Sequence, residues 1–176
     1  MSVPTFVDLQ GFVVSNKFIA KEVAVLRRGT VLAHYIFRSP IPWHLLTKSE
    51  KCQALWLMAN HHGLQWEDGI VAYSMAKRLI TTAVVEEEDD KMQCIVYVKG
   101  CQKREWLANM LGDDARENLI IETLDADYDD IESLNNLDVK NTIRCEKHVK
   151  NCALQNVFKI FNWWSQRQKE LQDLEK

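Results

Sequence analysis

Proline and glycine are scarce, three and six residues in a chain of 176. No Gly-, Ser- or Pro-rich stretch interrupts the chain, which excludes collagenous and low-complexity classes and offers no linker. One domain over residues 1–176 is therefore expected. Apolar runs stay well short of the ~18 residues a membrane helix needs. The N-terminal stretch also lacks the basic-then-apolar order of a secretory signal, because Asp8 interrupts it early. A soluble intracellular protein, cytoplasmic or nuclear and without a membrane role, is the expectation. Neither sign of charge dominates. A formal net charge of −3 disfavours coating DNA or a membrane by bulk electrostatics, so any polyanion contact must come from a local patch. The five cysteines (Cys52, Cys94, Cys101, Cys145, Cys152) are odd in number and cannot all pair within the chain. In a reducing compartment they are thiols or metal ligands.

Strand signals come first: an apolar run at 5–8, Val13-Val14 after Gly11, a β-branched alternation over 18–26, and a further strand over 31–37. Arg28-Gly29-Thr30 is the expected turn between the last two. Thr47 with Glu50 three residues on forms a capping box for a helix to about His61, whose Cys52, Leu55, Trp56 and Ala59 follow helical spacing. Further helices are expected over 70–83, 102–111 and 129–134, and a long one from about His148 to Glu175. Strands are expected over 93–98 and 119–122. The acidic run at 86–91 is a solvated loop of the wrong sign for nucleic acid. Three antiparallel strands followed by alternating strands and helices give an α/β chain with a mixed sheet and helices on both faces. The RNase H-like superfold has this layout.

The strongest chemical signal is RCEKHVKNCAL, in which Cys145, His148 and Cys152 are spaced C-x2-H-x3-C. Thiolate and imidazole are preferred Zn²⁺ ligands, and a closed tetrahedral site needs a fourth ligand from elsewhere. A helix starting near Glu146 puts His148 and Cys152 on one face. Cys52, Cys94 and Cys101 lie in apolar contexts and are expected in the core. His61-His62 is expected at a helix C-terminus, favoured there by the helix dipole. Trp43, Trp56, Trp66 and Trp106 fit packing positions. Trp163-Trp164 cannot both face one core, so one is a candidate partner contact together with the C-terminal helix. Candidate phosphate contacts are Arg27-Arg28, Lys99, Lys103, Arg104, Lys147, Lys150 and Lys159, of which Lys99, Lys103, Arg104 and Lys150 are expected to meet near Asp8.

Two family resemblances rest on these residues. The strand end VDLQGF, the following KFIAKEVAVLRRGTVLAHYIFRSP and the late NCALQNV resemble, in order, the motifs of DEDDh 3′–5′ exonucleases. Chemistry in that family takes two divalent metals held by carboxylates. Carried over by position, Asp8 is retained, but the second acid is Gln10, the His position is Asn151 and the last acid is Asn156. The middle acid falls at Arg104 or Glu105. A site so depleted of charge is expected to lack two-metal activity. RCEKHVKNCAL ahead of its helix, together with Lys21-Glu22-Val23-Ala24 on an early strand, resembles the Maelstrom domain, although the spacing from His148 to Cys152 is shorter than in that family. That family is an RNase H-like relative of the DEDDh enzymes with a Glu-Cys-His-Cys zinc site. The resemblance implies Glu22 as the fourth ligand, a structural Zn²⁺ and single-stranded nucleic acid as partner. RNA is favoured, in a silencing (piRNA) or transposon-related role. Two other readings stand beside this one. One is a nuclease, either Mg²⁺/Mn²⁺-dependent through Asp8, Glu105 and Asp125 or Asp127 or, as the Maelstrom resemblance implies, metal-independent on single-stranded RNA. The other is a protein-interaction module with no nucleic-acid role.

Overall fold

Strand β1 (Thr5–Val14) turns directly into β2 (Lys17–Arg27) through Ser15-Asn16, whose φ angles are 51° and 63°. Two consecutive left-handed residues are what a two-residue hairpin of matching twist requires. A second turn, at the expected Arg28-Gly29-Thr30, leads to β3 (Val31–Ile36). A Cβ on Gly29 would lie 2.7 Å from the Phe161 ring, so the turn also needs glycine for space. The computed structural model describes residues 2–85 and 94–175, and the acidic run at 86–91 lies outside them.

Five strands form one mixed sheet in the order β3-β2-β1-β4-β5. β1, β2 and β3 are antiparallel neighbours, while β4 (Cys94–Val98) and β5 (Leu119–Thr123) extend the sheet in parallel from β1. The helices are α1 (Lys48–Asn60), α2 (Ala76–Val84), α3 (Cys101–Met110), α4 (Asp113–Arg116), α5 (Leu124–Asp127) and α6 (Ala153–Leu174). None is long and apolar enough to cross a membrane among the described residues.

Side-chain alternation along the strands divides the core between the two faces. Val7, Leu9, Val23, Val25, Val96 and Val98 pack with Ile80 of α2 and Leu107 of α3. On the other face Phe6, Ala24, Leu26 and Tyr97 pack with Val157, Ile160 and Trp164 of α6. A bulge between Gln10 and Gly11 shifts the β1–β2 register, and Phe12, Val14 and Ile19 beyond it join Ala54 of α1, Leu46 and Trp66 in a third cluster. Gly11 permits that bulge, since a Cβ there would come 2.1 Å from the Ile19 carbonyl oxygen.

Several expected boundaries move. Residue 71 pairs with Phe37 as a β-bridge, so the second helix begins at α2, after a 3-10 turn at Tyr73–Met75. The helix expected over 129–134 is absent. Thr123 instead caps α5 by accepting the Ala126 N–H, and a 3-10 turn follows at Leu134–Asn136. The long helix starts at Ala153, because Asn151 adopts a left-handed φ of 51° that no continuing helix tolerates.

The stripe of Cys52, Leu55, Trp56 and Ala59 faces solvent, and Cys101 is exposed as well, contrary to the core placement expected of both cysteines and of Trp56. Cys94 is half-buried. Trp66 is buried with Trp43 packed on it at 5.8 Å, and Trp106 stacks on Phe18 at 4.0 Å. Trp164 packs on Phe6 at 5.6 Å, whereas Trp163 is half-buried against Tyr128 at 5.4 Å.

Candidate metal centre

Adjacent residues Lys21 and Glu22 on β2 point to opposite faces of the sheet, and both are completely buried. Each therefore needs partners. The Lys21 ammonium donates to the Trp66 carbonyl at 2.7 Å, to Ser39 Oγ at 3.3 Å and to the Asp68 carbonyl. These contacts tie down the crossing that leads to α2.

Glu22 is surrounded differently. Its Oε1 accepts from His148 Nε2 and from the Ala153 N–H, each at 2.8 Å, and its Oε2 accepts from His34 Nε2 at 2.8 Å. Cys152 Sγ lies 3.8 Å from Oε2. One ligand atom from each of Glu22, Cys145, His148 and Cys152 lies within 4.8 Å of all the others, an arrangement that could hold a metal ion. Among the described residues it is the one such cluster of three or more acidic, His and Cys groups.

His148 and Cys152 reach this point without sharing a helix. Residues 145–152 form an irregular loop, and Cys152 is the N-cap of α6. The loop wraps one point in space because its amides turn inward. Cys145 N–H donates to Cys152 Sγ at 3.3 Å, and the N–H groups of Lys147 and His148 face the Cys145 sulfur. Backbone donors aimed at a sulfur favour its thiolate form, the form that ligates.

The neighbouring shell is built as well. His148 Nδ1 donates to the His62 carbonyl at 2.6 Å and to the Lys150 carbonyl at 3.0 Å, which leaves Nε2 directed at the cluster. His62 is itself fixed, its Nε2–H donating to the Gly11 carbonyl and its Nδ1 accepting from the Leu64 N–H, both at 3.0 Å. That pattern requires a neutral imidazole. Burial pushes its pKa down to about 4 despite the Gly11 contact. His62 is thus a buried strut and not the dipole-favoured cation expected at a helix end. His34, two residues along β3 from the register partner of Glu22, holds the second carboxylate oxygen diagonally. A ligating imidazole that donates its other nitrogen to a carbonyl, beside a carboxylate held by a second donor, is the outer shell a metal site needs.

No protein-family model, curated protein or solved structure matches the chain.

The electrostatics follow from the same contacts. Burial alone would raise the Glu22 pKa, but hydrogen bonds from His148 and His34 outweigh it and hold the carboxyl at about 2. Burial would lower His148, and its contacts with Cys152 and Glu22 instead raise it to about 10. Burial drives the Cys145 thiol up to about 12. Without a metal His148 and Cys145 are therefore protonated at neutral pH, and a metal entering the site displaces both protons. The apparent metal affinity is expected to rise at least about a hundredfold per pH unit between about pH 5.5 and 7.5, the slope for the protons of His148 and Cys145, with any proton carried by Cys152 adding to it. Competition against a chromophoric chelator at several pH values measures this; a flat profile would contradict it.

The exonuclease-like positions are only partly brought together. Asp8 is fully buried. Its Oδ2 accepts from Asn156 Nδ2 at 2.9 Å and its Oδ1 from Lys103 Nζ at 2.5 Å. Burial pushes the Asp8 carboxyl up, with the Lys103 ammonium and the Asn156 amide acting against it. Gln10 is buried opposite Glu22 in the β1–β2 register, Asn151 donates to the His61 carbonyl at 2.7 Å, and Glu105 lies on the exposed side of α3. Asp125 pairs with Lys99, and Asp127 accepts from the Tyr97 hydroxyl at 2.5 Å. These carboxylates do not gather around one point.

The expected basic groove is correspondingly reduced. Lys99 and Lys103 each hold a carboxylate, Arg104 Nε donates to the Ile121 carbonyl at 2.8 Å, and Lys159 is buried and donates to the Leu134 carbonyl at 3.0 Å. Lys150 is exposed on the metal loop, as are Arg144 and Lys147. No motif marks the part played by His34 and His62, because only the strand register and the bulge bring them to Glu22 and His148.

Proposed function

We propose that the chain is a catalytically degenerate RNase H-like domain of the Maelstrom type that binds single-stranded nucleic acid, RNA in preference, in a silencing or transposon-related setting. Its Glu22-Cys145-His148-Cys152 cluster holds a structural Zn²⁺. The observation that carries this reading is the convergence of those four ligand atoms within 4.8 Å from β2 and the loop before α6.

The donor set selects the ion. Two thiolates, an imidazole and a carboxylate suit Zn²⁺ and are a poor set for Mg²⁺ or Ca²⁺, which take oxygen ligands. A bound Zn²⁺ supplies a closed, redox-inert cross-link, and the chain's own residues do the rest. Glu22 anchors the link in the sheet, His34 and the Ala153 N–H orient its carboxylate, and His62 orients His148. Three antiparallel strands followed by two parallel strands reached through helices support the RNase H-like reading.

Degeneracy is supported at Asp8. An ammonium occupies one carboxylate oxygen and an amide the other, so the residue is neutralised within the fold and not held for a divalent ion. With Lys99 and Lys103 engaged, exposed Arg144, Lys147 and Lys150 around the loop before α6 offer cations to phosphates, beside exposed Ile143 and Val149. Such a surface supports backbone contact with some apolar contact to bases, and its affinity falls with salt.

Labelled single-stranded RNA and DNA oligonucleotides, titrated at several salt concentrations, test the function. Binding is expected to weaken about tenfold in Lys147→Glu/Lys150→Glu, with a log–log salt slope shallower by about one to two. No Mg²⁺- or Mn²⁺-dependent degradation sensitive to Asp8→Asn is expected. Absence of binding to either polymer would favour a protein-interaction module, and metal-dependent cleavage abolished by Asp8→Asn would establish an active nuclease.

A further inference from the structure

The loop before α6 brings two sulfurs to one point. Cys145 Sγ and Cys152 Sγ lie within 4.8 Å of each other, and the Cys145 N–H already donates to Cys152 Sγ at 3.3 Å. A disulfide needs the sulfurs about 2 Å apart. Cys145 can supply that movement, because it sits in irregular backbone between exposed Arg144 and Glu146. Cys152 is fixed as the buried N-cap of α6. Exposure divides the pair in the same way. Cys145 is half-buried and partly reaches solvent, whereas Cys152 is 1% exposed. A small oxidant meets the first sulfur, and the second waits beside it.

We propose that Cys145 and Cys152 are a redox-active pair that a peroxide converts to a disulfide with release of the bound Zn²⁺, a step that rests on the zinc reading above. The ion keeps one oxidation state, but its sulfur ligands need not. Both sulfurs are thiolates when they ligate, the form that attacks an oxidant. The Cys145 thiolate attacks one oxygen of hydrogen peroxide. An S–O bond forms, the O–O bond breaks and hydroxide leaves, giving a sulfenic acid on Cys145. The Cys152 thiolate then attacks that sulfur. The S–S bond forms as the S–O bond breaks and a second hydroxide leaves. The two sulfurs together lose two electrons and the peroxide gains them, while protons from solvent convert both hydroxides to water. Glu22 and His148 alone are too few ligands to keep the ion.

The origin of the ligands gives the step its consequence. Cys145, His148 and Cys152 all belong to one loop, and Glu22 is the ligand contributed by the sheet. The metal therefore ties the loop to β2, whereas a disulfide ties the loop to itself. After oxidation Glu22 holds the loop through hydrogen bonds from His148 and the Ala153 N–H, with no metal between them. Exposed Arg144, Lys147 and Lys150 are carried by that same stretch of chain. Oxidation thus loosens the surface proposed to meet phosphates, and reduction of the disulfide restores the ligands.

The test uses the zinc-loaded full chain carrying Cys52→Ser/Cys101→Ser, which removes the two exposed thiols. Hydrogen peroxide is added beside a chromophoric zinc chelator, with a peroxide-free control. Release of about one zinc per chain above the control is expected, with a mass loss of about 2 Da from the two thiol hydrogens. A disulfide should join the tryptic peptides 145–147 and 151–159. A phosphine reductant should restore both thiols and zinc binding. Cys145→His keeps four zinc-binding side chains but leaves Cys152 without a partner sulfur, so peroxide should release its zinc at least about tenfold more slowly. If that variant holds no zinc, the linked peptides of its parent decide the outcome. Zinc retained under peroxide, release accompanied by oxygen added to unlinked cysteines, or equally fast release from Cys145→His would overturn the proposal. A parent protein that takes up no zinc would overturn the metal reading itself, and the linked peptides would then still decide whether the two thiols pair.

Discussion

Removing the metal, by chelation or by Cys152→Ser, is expected to lower the stability of the fold by about 4 kcal/mol. That is the linkage contribution of a ligand present at about a thousandfold excess over its dissociation constant, as for a nanomolar site in micromolar free zinc. For a chain of this size it corresponds to a fall of about 10 °C in thermal midpoint. The reason lies in where the ligands come from. Glu22 is fully buried in β2, while Cys145 and His148 belong to an irregular loop whose outer surface carries exposed Ile143 and Val149. Without the ion the loop is held by the contacts of His148 with Glu22 and the His62 carbonyl. The sheet should survive, because its apolar clusters on both faces do not use the site. The metal-free protein should therefore unfold cooperatively at a lower temperature, with faster hydrogen exchange confined to residues near 145–152. An unchanged midpoint after complete chelation would refute this.

Lys103→Met is expected to destabilise the protein by about 3–5 kcal/mol, because it strands the buried carboxylate of Asp8 without a counter-ion. Asp8 is fully buried and the Lys103 side chain is 14% exposed, so solvent screens the pair weakly. Losing the ammonium removes the largest influence that opposes burial and drives the Asp8 pKa further up. The sign of the pH dependence follows. A carboxyl whose folded pKa lies above its unfolded value contributes full stability below the unfolded pKa and loses it as pH rises through the folded one. The variant should thus be close to wild type in acid and progressively weaker toward neutral pH. Asp8→Asn/Lys103→Met should recover most of the loss, since neither charge remains. Urea denaturation of the single and double variants at two pH values checks both statements. A near-neutral Lys103→Met, or a double variant as unstable as the single one, would remove the ion pair from the account.

The succession of strands along the chain and three of the four cluster residues are legible in the sequence for separate reasons. β-Branched alternation and the Arg28-Gly29-Thr30 turn delimit β2 and β3, and C-x2-H-x3-C is dense enough in ligand chemistry to stand out. Glu22 needed the family resemblance, because one acid in a strand says nothing about which face it takes. The local geometry of the cluster differs from the spacing's expectation. Spacing suggested a helix under His148, whereas the left-handed Asn151 starts that helix at Ala153, and Asn is the non-glycine residue best suited to such a break. The stripe of α1 faces solvent, where helical spacing alone suggests a packing position. Periodicity reports that an apolar face exists, and tertiary contacts decide whether it is covered. Lys99 and Lys103 looked like phosphate contacts for a related reason, since their partners Asp125 and Asp8 lie far away in sequence.

Elemental analysis of protein purified without chelators, run beside Cys145→Ser/Cys152→Ser, is the most direct test of the metal centre. About one zinc per chain is expected in the wild type, the stoichiometry of a closed four-ligand site, and almost none in the variant. A folded wild-type protein free of zinc, or a variant that retains the same zinc content, would contradict the account.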